Sequence, residues 1–170
     1  MRLTKAGFNL VTVWRLGLVN PASGTWASVV PAGVIAVLGA LFAAGVPIYG
    51  TLVLNVLLTV LILLFSWATV HYGDAAEARF GKDPSAVVSD EVAGQSIALL
   101  FLPVAMLTPA GLAVAVLVSF LAFRFFDILK VEPAGTAQHA PGGWGILMDD
   151  IIAGVYAWFV TQTFVWLVLV

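Results

Sequence analysis

The sequence predicts an all-α protein, a bundle of membrane-spanning helices, from its composition and from where its charges lie. Hydrophobic residues make up 62% of the chain and charged residues only 9%, whereas a soluble domain carries about 25% charged residues. The charged side chains fall into three blocks separated by long uncharged stretches. The blocks are 2–15, 74–91 and 124–150, and the uncharged stretches are 16–73, 92–123 and 151–170. Hydrocarbon excludes charge, so these stretches are expected to lie in a bilayer.

The length, net charge and cysteine content of the chain limit its domain organisation and the partners that it can bind. A chain of 170 residues is expected to form one domain over 1–170. Its net charge of −2 argues against a nucleic-acid partner. The absence of cysteine excludes disulfides and thiolate ligands. Asn9 and Arg15 interrupt the first apolar run, so a cleavable signal is not expected.

The first predicted element is a short amphipathic helix over 3–18 that lies on the membrane surface. Its alternative is the polar start of the first span. The 58 uncharged residues that follow are too many for one span of about 20 residues. Pro47 divides them into helices over 27–46 and 49–71.

The second half of the chain is predicted to cross the bilayer again. The apolar stretch after the second charged block is interrupted at 107–111, which predicts helices over 95–107 and 110–126. The first of these is short enough to be re-entrant, and 151–170 forms the last span. Four to five spans in this order return all charged blocks to one face. That face is expected to be cytoplasmic, because Lys and Arg concentrate there.

An internal echo links two parts of the sequence. Residues 88–94 resemble 148–154: each segment has an acidic pair followed by a glycine one helical turn later. Small residues let helix backbones approach closely, so the two acidic pairs can meet at one depth. Chance resemblance in a sequence rich in Val, Ala and Gly is the alternative.

Acidic residues stand at predicted helix ends near the charged face. They are Asp90, Glu91, Asp127, Asp149 and Asp150. Each one alone can be explained as a helix cap or an ion-pair partner, as with Asp127 and Arg124. Together, however, converging carboxylates repel one another unless a cation neutralises them. Oxygen ligands of this kind suit Mg²⁺ and metal-assisted phosphoryl chemistry.

Phosphate-binding groups are available beside these acids. Gly142 and Gly143 precede the last helix, where glycine-rich backbone can bind an anion. Thr25 and Ser28 offer hydroxyls before the first span, and Arg124 and Lys130 are nearby cations. The alternatives are an ordinary loop, a helix cap, an ion-pair partner and a membrane anchor.

Four stretches together resemble the signature motifs of the phosphatidylglycerophosphatase A family. They are 20–28, 80–94, 123–130 and 141–154, in the order and spacing of the family. The chain departs from the family pattern at Ser23, where proline is common, and at 130–133.

The resemblance implies a bacterial inner-membrane, Mg²⁺-dependent lipid phosphatase whose active site faces the cytoplasm. It would hydrolyse phosphatidylglycerophosphate to phosphatidylglycerol and phosphate. The implied catalytic and metal-binding residues are Asp90, Glu91, Asp127, Asp149 and Asp150. The implied substrate-binding residues are Thr25, Ser28, Asp83, Arg124, Lys130, Gly142 and Gly143. Attack by metal-activated water and an aspartyl-phosphate intermediate are both compatible with this set.

Two other functions compete with this one. Asp74, Ala78 and Arg79 resemble the start of a CDP-alcohol phosphatidyltransferase signature, but its downstream spacing is missing. A small transporter or assembly subunit would carry ionisable residues within its spans. The predicted spans contain only polar neutral residues such as Asn55 and Gln162.

Overall fold

The computed structural model of the protein describes residues 3–43, 47–82 and 84–170, with only the backbone described at 40–43 and 47–49. Within these residues all regular structure is helical, which confirms the predicted fold class. The α-helices are α1 Lys5–Val11, α2 Ser23–Ala43, α3 Pro47–Phe80, α4 Ser89–Ala98, α5 Pro109–Leu129, α6 Ala134–Ala137 and α7 Gly143–Phe164. Short helical turns occur at Leu16–Leu18, Val104–Met106 and Val165–Leu169.

Three of the described helical segments are long and apolar enough to cross a bilayer. They are Gly50–Phe80, Pro109–Leu129 and Gly143–Leu169. The described apolar part of α2, Ser23–Gly39, is shorter. The protein is therefore a membrane helical bundle, in which α4 has a different character. Its ten residues rise only about 15 Å, half the thickness of a hydrocarbon core.

Helices α3 and α7 extend beyond their predicted bounds toward the charged face. The prediction ended the second span at residue 71, but α3 continues to Phe80. The prediction began the last span at residue 151, but α7 begins at Gly143. Hydropathy marks where the bilayer ends, whereas the helix continues until its hydrogen bonding is interrupted. The residues after 71 include Ala75, Ala76 and Ala78, which favour helix.

Three other predicted helices also differ from the structure in their bounds. The helix expected over 95–107 begins at Ser89 and ends at Ala98, and a turn replaces its second half. The single helix expected over 3–18 is α1 plus a separate turn, because Val13, Trp14 and Arg15 adopt positive φ angles. Helix α2 begins four residues before the predicted 27. The predicted turn around Pro47 falls partly on 44–46, outside the described residues.

The turn after α4 contacts α3 and α7, and side chains from these two spans satisfy its backbone. The Leu100 carbonyl accepts hydrogen bonds from Trp158 Nε1 at 3.0 Å and Gln162 Nε2 at 2.7 Å. The Phe101 amide donates to Asn55 Oδ1 at 2.8 Å. We call this group the Leu100 turn. Backbone groups at membrane depth need such partners because lipid offers none, so Asn55 and Gln162 are explained as structural residues.

The helix ends that carry charge meet at one end of the bundle, as predicted. The start of α2 contacts Glu91 at the start of α4. The end of α3 contacts the start of α7, where the Gly143 amide donates to Asp74 Oδ1. Five helix ends therefore converge there: the starts of α2, α4 and α7 and the ends of α3 and α5.

Candidate active site

Three carboxylates meet at this end of the bundle. Ligand oxygens of Asp90, Glu91 and Asp150 lie within 4.8 Å of one another, close enough to hold one metal ion. Asp90 is 7% exposed and Asp150 is 3% exposed. We call these residues the carboxylate triad. Its members come from the first turn of α4 and the second turn of α7, which are 59 residues apart in sequence (91 to 150).

A glycine contact between α4 and α7 brings the triad together. Gly94 follows Asp90 by one turn, and Gly154 follows Asp150 by one turn. A Cβ at Gly94 would lie 2.6 Å from the Asp150 carbonyl oxygen, and a Cβ at Gly154 would overlap the Gly94 carbonyl. Neither position has room for a side chain. The internal echo therefore marks the place where the two acid-bearing helices touch backbone to backbone.

Gly24 makes room for the third carboxylate. A Cβ at this position would overlap Glu91 Oε1 and lie 3.2 Å from Arg124 Nη1. The Glu91 carboxylate therefore packs directly against the backbone of α2 at Gly24, where there is no side chain. This role was not predicted from the sequence, since only the tertiary contact reveals which side chain the glycine faces.

The other two predicted acids lie beside the triad, and each has a basic partner. Arg124 Nη1 lies 2.6 Å from Asp127 Oδ2, the ion pair that the sequence offered for these residues. Asp127 is also adjacent to Asp150. Lys130 Nζ contacts Asp149 Oδ2 in a second ion pair. Arg124 therefore lies beside the triad, close to Glu91, and Lys130 lies beside Asp149, the neighbour of Asp150.

Burial and mutual repulsion make the triad costly to ionise. Burial, together with the charges of Glu91 and Asp150, raises the pKa of Asp90 well above its ordinary value. Burial likewise raises the pKa of Glu91 to about 7. Asp90 Oδ1 and Glu91 Oε2 are buried without a hydrogen-bond partner. A buried carboxylate oxygen needs a donor or a cation, so the donor set fits a hard divalent ion.

The position of Asp149 and Asp150 weakens the capping explanation for these acids. The sequence placed them at the opening of a helix, where free amide groups stabilise a carboxylate. They lie instead six and seven residues beyond the first residue of α7, Gly143. The helix dipole acts mainly within the first turn. Asp90 and Glu91, by contrast, do lie in the first turn of α4.

The two glycines at the start of α7 are in close contact with α3. The Gly143 amide donates to Asp74 Oδ1 at 3.2 Å. A Cβ at Gly142 would overlap the same carboxylate oxygen, and a Cβ at Gly143 would overlap the Thr69 carbonyl. The geometry therefore gives both glycines a packing function, and their predicted contact with substrate stays a prediction.

The remaining substrate-binding candidates lie in three kinds of position. Ser28 is fully buried and donates to the Gly24 carbonyl at 2.8 Å. Thr25 is half-buried in the first turn of α2. Asp83 lies outside the described residues. Their roles toward substrate stay predictions.

A polar cavity of about 120 Å³ adjoins the site on the side of Asp149. It lies between the end of α3 and the first turns of α7. Its polar side chains are Glu77, Lys82, Gln138, His139 and Asp149. Lys82 was not predicted as a site residue. A lysine in a charged block is usually exposed to solvent, and only the structure shows that Lys82 lines a cavity.

Comparison with known proteins identifies the relatives of this chain. The model of the phosphatidylglycerophosphatase A family matches residues 9–165. The chain belongs to the phosphatidylglycerophosphatase A family. It is 33% identical over 148 residues to a phosphatidylglycerophosphatase A from Haemophilus influenzae, a match covering 83% of this chain and 77% of that protein. No solved structure matches the chain.

A second relative carries a different name. The chain is 34% identical over 108 residues to a provisionally named phosphatidylinositol-3-phosphatase from Bacteroides thetaiotaomicron. That match covers 64% of this chain and 65% of the Bacteroides protein. Membership of the phosphatidylglycerophosphatase A family supports a phospholipid phosphatase and confirms the predicted family. It gives no support to the transferase or transporter alternatives.

Proposed function

We propose that the protein is a Mg²⁺-dependent phosphatidylglycerophosphatase that works at the cytoplasmic face of a bacterial inner membrane. The observation that carries the metal role is the carboxylate triad. The three carboxylates lie within 4.8 Å of one another, and Asp90 and Asp150 are buried. Asp90 and Glu91 each have a buried oxygen without a hydrogen-bond partner, so the three form an acidic cluster that a divalent cation would neutralise. Asp127 and Asp149, each held by a basic residue, would support the ion from the next layer.

Mg²⁺ bound by Asp90, Glu91 and Asp150 would supply Lewis-acid polarisation of the phosphomonoester and activation of water. The residues around it would position the phosphate. Arg124 and Lys130, held in place by Asp127 and Asp149, would donate to phosphate oxygens. In the hydrolysis, a water oxygen joins phosphorus, the bond from phosphorus to the glycerol oxygen breaks, and the glycerol oxygen gains a proton.

The membrane bundle explains how such an enzyme reaches its substrate. The acyl chains stay among the apolar outer faces of the spans, while the headgroup reaches the polar end of the bundle. Lys and Arg concentrate at that end, which supports the cytoplasmic side.

Phosphatidylglycerophosphate is the favoured substrate of the two that the relatives' names suggest. The Haemophilus phosphatidylglycerophosphatase A matches over 83% of this chain, and the Bacteroides relative over 64%. Both substrates would present a phosphomonoester to the same triad.

Phosphate release from the purified protein tests the proposal. The assay uses phosphatidylglycerophosphate and phosphatidylinositol 3-phosphate in matched mixed micelles, each with Mg²⁺ and with excess chelator. We expect Mg²⁺-dependent release from phosphatidylglycerophosphate at a higher kcat/KM. Full activity in chelator would overturn the metal role. Preference for the inositol lipid would overturn the substrate assignment.

A further inference from the structure

We propose that Asp74 is a positioning residue for the carboxylate triad. It fixes the start of α7 to α3 and thereby holds Asp150 in line with Asp90 and Glu91. This inference rests on the proposed metal-dependent phosphatase activity. Asp74 does not belong to the triad, so it would act through the helix that carries Asp150.

Asp74 is the cap that α7 lacks in its own sequence. The residue before the helix, Gly142, has no side chain with which to bind the free amides of the first turn. The carboxylate of Asp74 accepts a hydrogen bond from the Gly143 amide at 3.2 Å, from 69 residues away in sequence. A cap normally comes from the residue that precedes the helix. Here it also joins two helices.

The surrounding contacts leave the start of α7 little freedom. A Cβ at Gly73 would lie 2.9 Å from the Gly143 nitrogen, and a Cβ at Gly143 would lie 2.8 Å from the Val70 Cα. Backbone therefore touches backbone where α7 meets α3. The carboxylate of Asp74 is next to this contact and supplies its directional bond.

The spacing along α7 connects this contact to Asp150. Gly143, Asp150 and Gly154 are separated by seven and four residues, so all three lie within about 20° of one stripe on the helix. Gly143 contacts α3 and Gly154 contacts α4. Asp150 thus lies between two fixed points, which are about 16 Å apart along the axis. Losing the Asp74 bond would remove the directional bond and leave packing contacts, such as those of Gly143 with α3 and of Gly154 with α4, to set the position of the Asp150 carboxylate.

The test compares Asp74→Ala with Asp74→Asn and with Glu132→Ala. Asparagine keeps an oxygen that can accept from the Gly143 amide, so it should rescue the alanine defect. Glu132 Oε2 accepts from the Thr136 amide at 3.1 Å and caps α6. Glu132→Ala therefore removes a comparable acid-to-amide bond and leaves in place the Glu132 backbone carbonyl, which accepts from the Tyr156 hydroxyl of α7 at 2.7 Å.

The readouts are the Mg²⁺ concentration for half-maximal activity, the lipid KM and the Mg²⁺-induced shift in melting temperature. For Asp74→Ala we expect half-saturation to rise by about tenfold or more, as when a residue supporting a metal ligand is lost. We expect the melting shift to shrink and the lipid KM to stay unchanged. Asp74→Asn should lie near wild type, as should Glu132→Ala.

Two results would overturn the inference. One is unchanged Mg²⁺ half-saturation and melting shift in Asp74→Ala. The other is an asparagine variant as defective as alanine, which would assign the effect to charge and not to the bond. Lack of phosphatase activity in the wild type would reject the proposed function alone, because the Mg²⁺-induced melting shift would still report the position of Asp150.

Discussion

Two groups of polar residues in the described part of the chain differ in one respect. In the Leu100 turn, the backbone groups exposed by the end of α4 are matched by Asn55, Trp158 and Gln162. In the carboxylate triad, like charges face one another and two buried oxygens have no partner. A satisfied polar group inside a bundle stabilises the fold, whereas an unsatisfied acidic group destabilises it until a cation binds. The comparison therefore separates polar residues that stabilise the fold, in the Leu100 turn, from polar residues that are candidates for metal binding, in the carboxylate triad.

Removing a triad carboxylate is the strongest way to test this separation. We expect Asp150→Asn and Asp90→Asn to lower kcat/KM by about 100-fold or more, since a metal contributes several kcal/mol to transition-state stabilisation. Melting temperature without Mg²⁺ should not fall, because each change replaces a buried acid that is costly to ionise by a neutral amide of similar shape. Phosphate release and thermal melting of the same samples measure both effects. Activity within a few-fold of wild type in both variants would return these acids to a structural role.

Gly154→Val should disrupt the contact that assembles the triad. The valine Cβ would overlap the Gly94 carbonyl, and overpacking of this kind costs about 1–3 kcal/mol. We expect both lower stability and lower activity, measured by melting and by phosphate release. Val155→Ala, on the adjacent exposed position of α7, is the matched control and should change neither. A stable, fully active Gly154→Val protein would contradict the close approach of α4 and α7.

The pKa of Glu91 predicts how Mg²⁺ binding depends on pH. Burial raises this pKa from 4.5 to about 7, so the metal-free protein holds a proton there that Mg²⁺ must displace. Displacing the Glu91 proton alone should lower apparent Mg²⁺ affinity by up to about tenfold per pH unit below 7. Calorimetric titration from pH 5.5 to 8.5 measures this. A plateau that already begins near pH 5.5 would mean that the Glu91 pKa is ordinary.

The raised pKa of Glu91 also affects the stability of the metal-free protein. Stability should fall as pH rises, whereas Mg²⁺ affinity should increase. Because the folded-state pKa of Glu91 lies above its unfolded value, folding is favoured while the group is protonated. The free energy of unfolding of the metal-free protein should therefore decrease as pH rises from about 4.5 through 7. Glu91→Gln should remove this part of the pH dependence in thermal melts.

Asn55→Leu should have the smallest effect and should act on stability alone. It removes the acceptor of the Phe101 amide, and an unmatched amide costs about 1 kcal/mol in comparable settings. We expect a lower melting temperature, with kcat/KM per folded molecule unchanged. A large loss of activity at full stability would place the Leu100 turn within the functional machinery and would blur the distinction between the two regions.

The sequence predicted most of the architecture because charge and hydropathy report directly on the bilayer. The uncharged stretches predicted the spans, and the echo between 88–94 and 148–154 predicted the contact of two acid-bearing helices. The predicted lengths of α3 and α7 were too short because a helix can extend beyond the membrane. The helix predicted over 95–107 was wrong because the turn that ends α4 is stabilised by Asn55, Trp158 and Gln162. These three residues lie far from the turn in sequence.

The candidate site was predicted in its residue types but not in its layout. All five acids lie at or beside the triad, and the pair of Arg124 with Asp127 was predicted. The sequence could not tell that Lys130 would pair with Asp149, or which three acids would share one site. Gly24 and Asp74 were also missed as parts of the site. Each acts through one contact with a different helix, and such a contact leaves no local pattern in the sequence.

Direct titration of Mg²⁺ into the purified protein, without substrate, tests the central claim most directly. Wild-type protein should bind the ion saturably and should release protons as it does so near pH 7. Asp90→Asn and Asp150→Asn should each lose that binding while keeping the wild-type fold by circular dichroism. Undiminished Mg²⁺ binding in both folded variants would contradict a metal site formed by Asp90, Glu91 and Asp150.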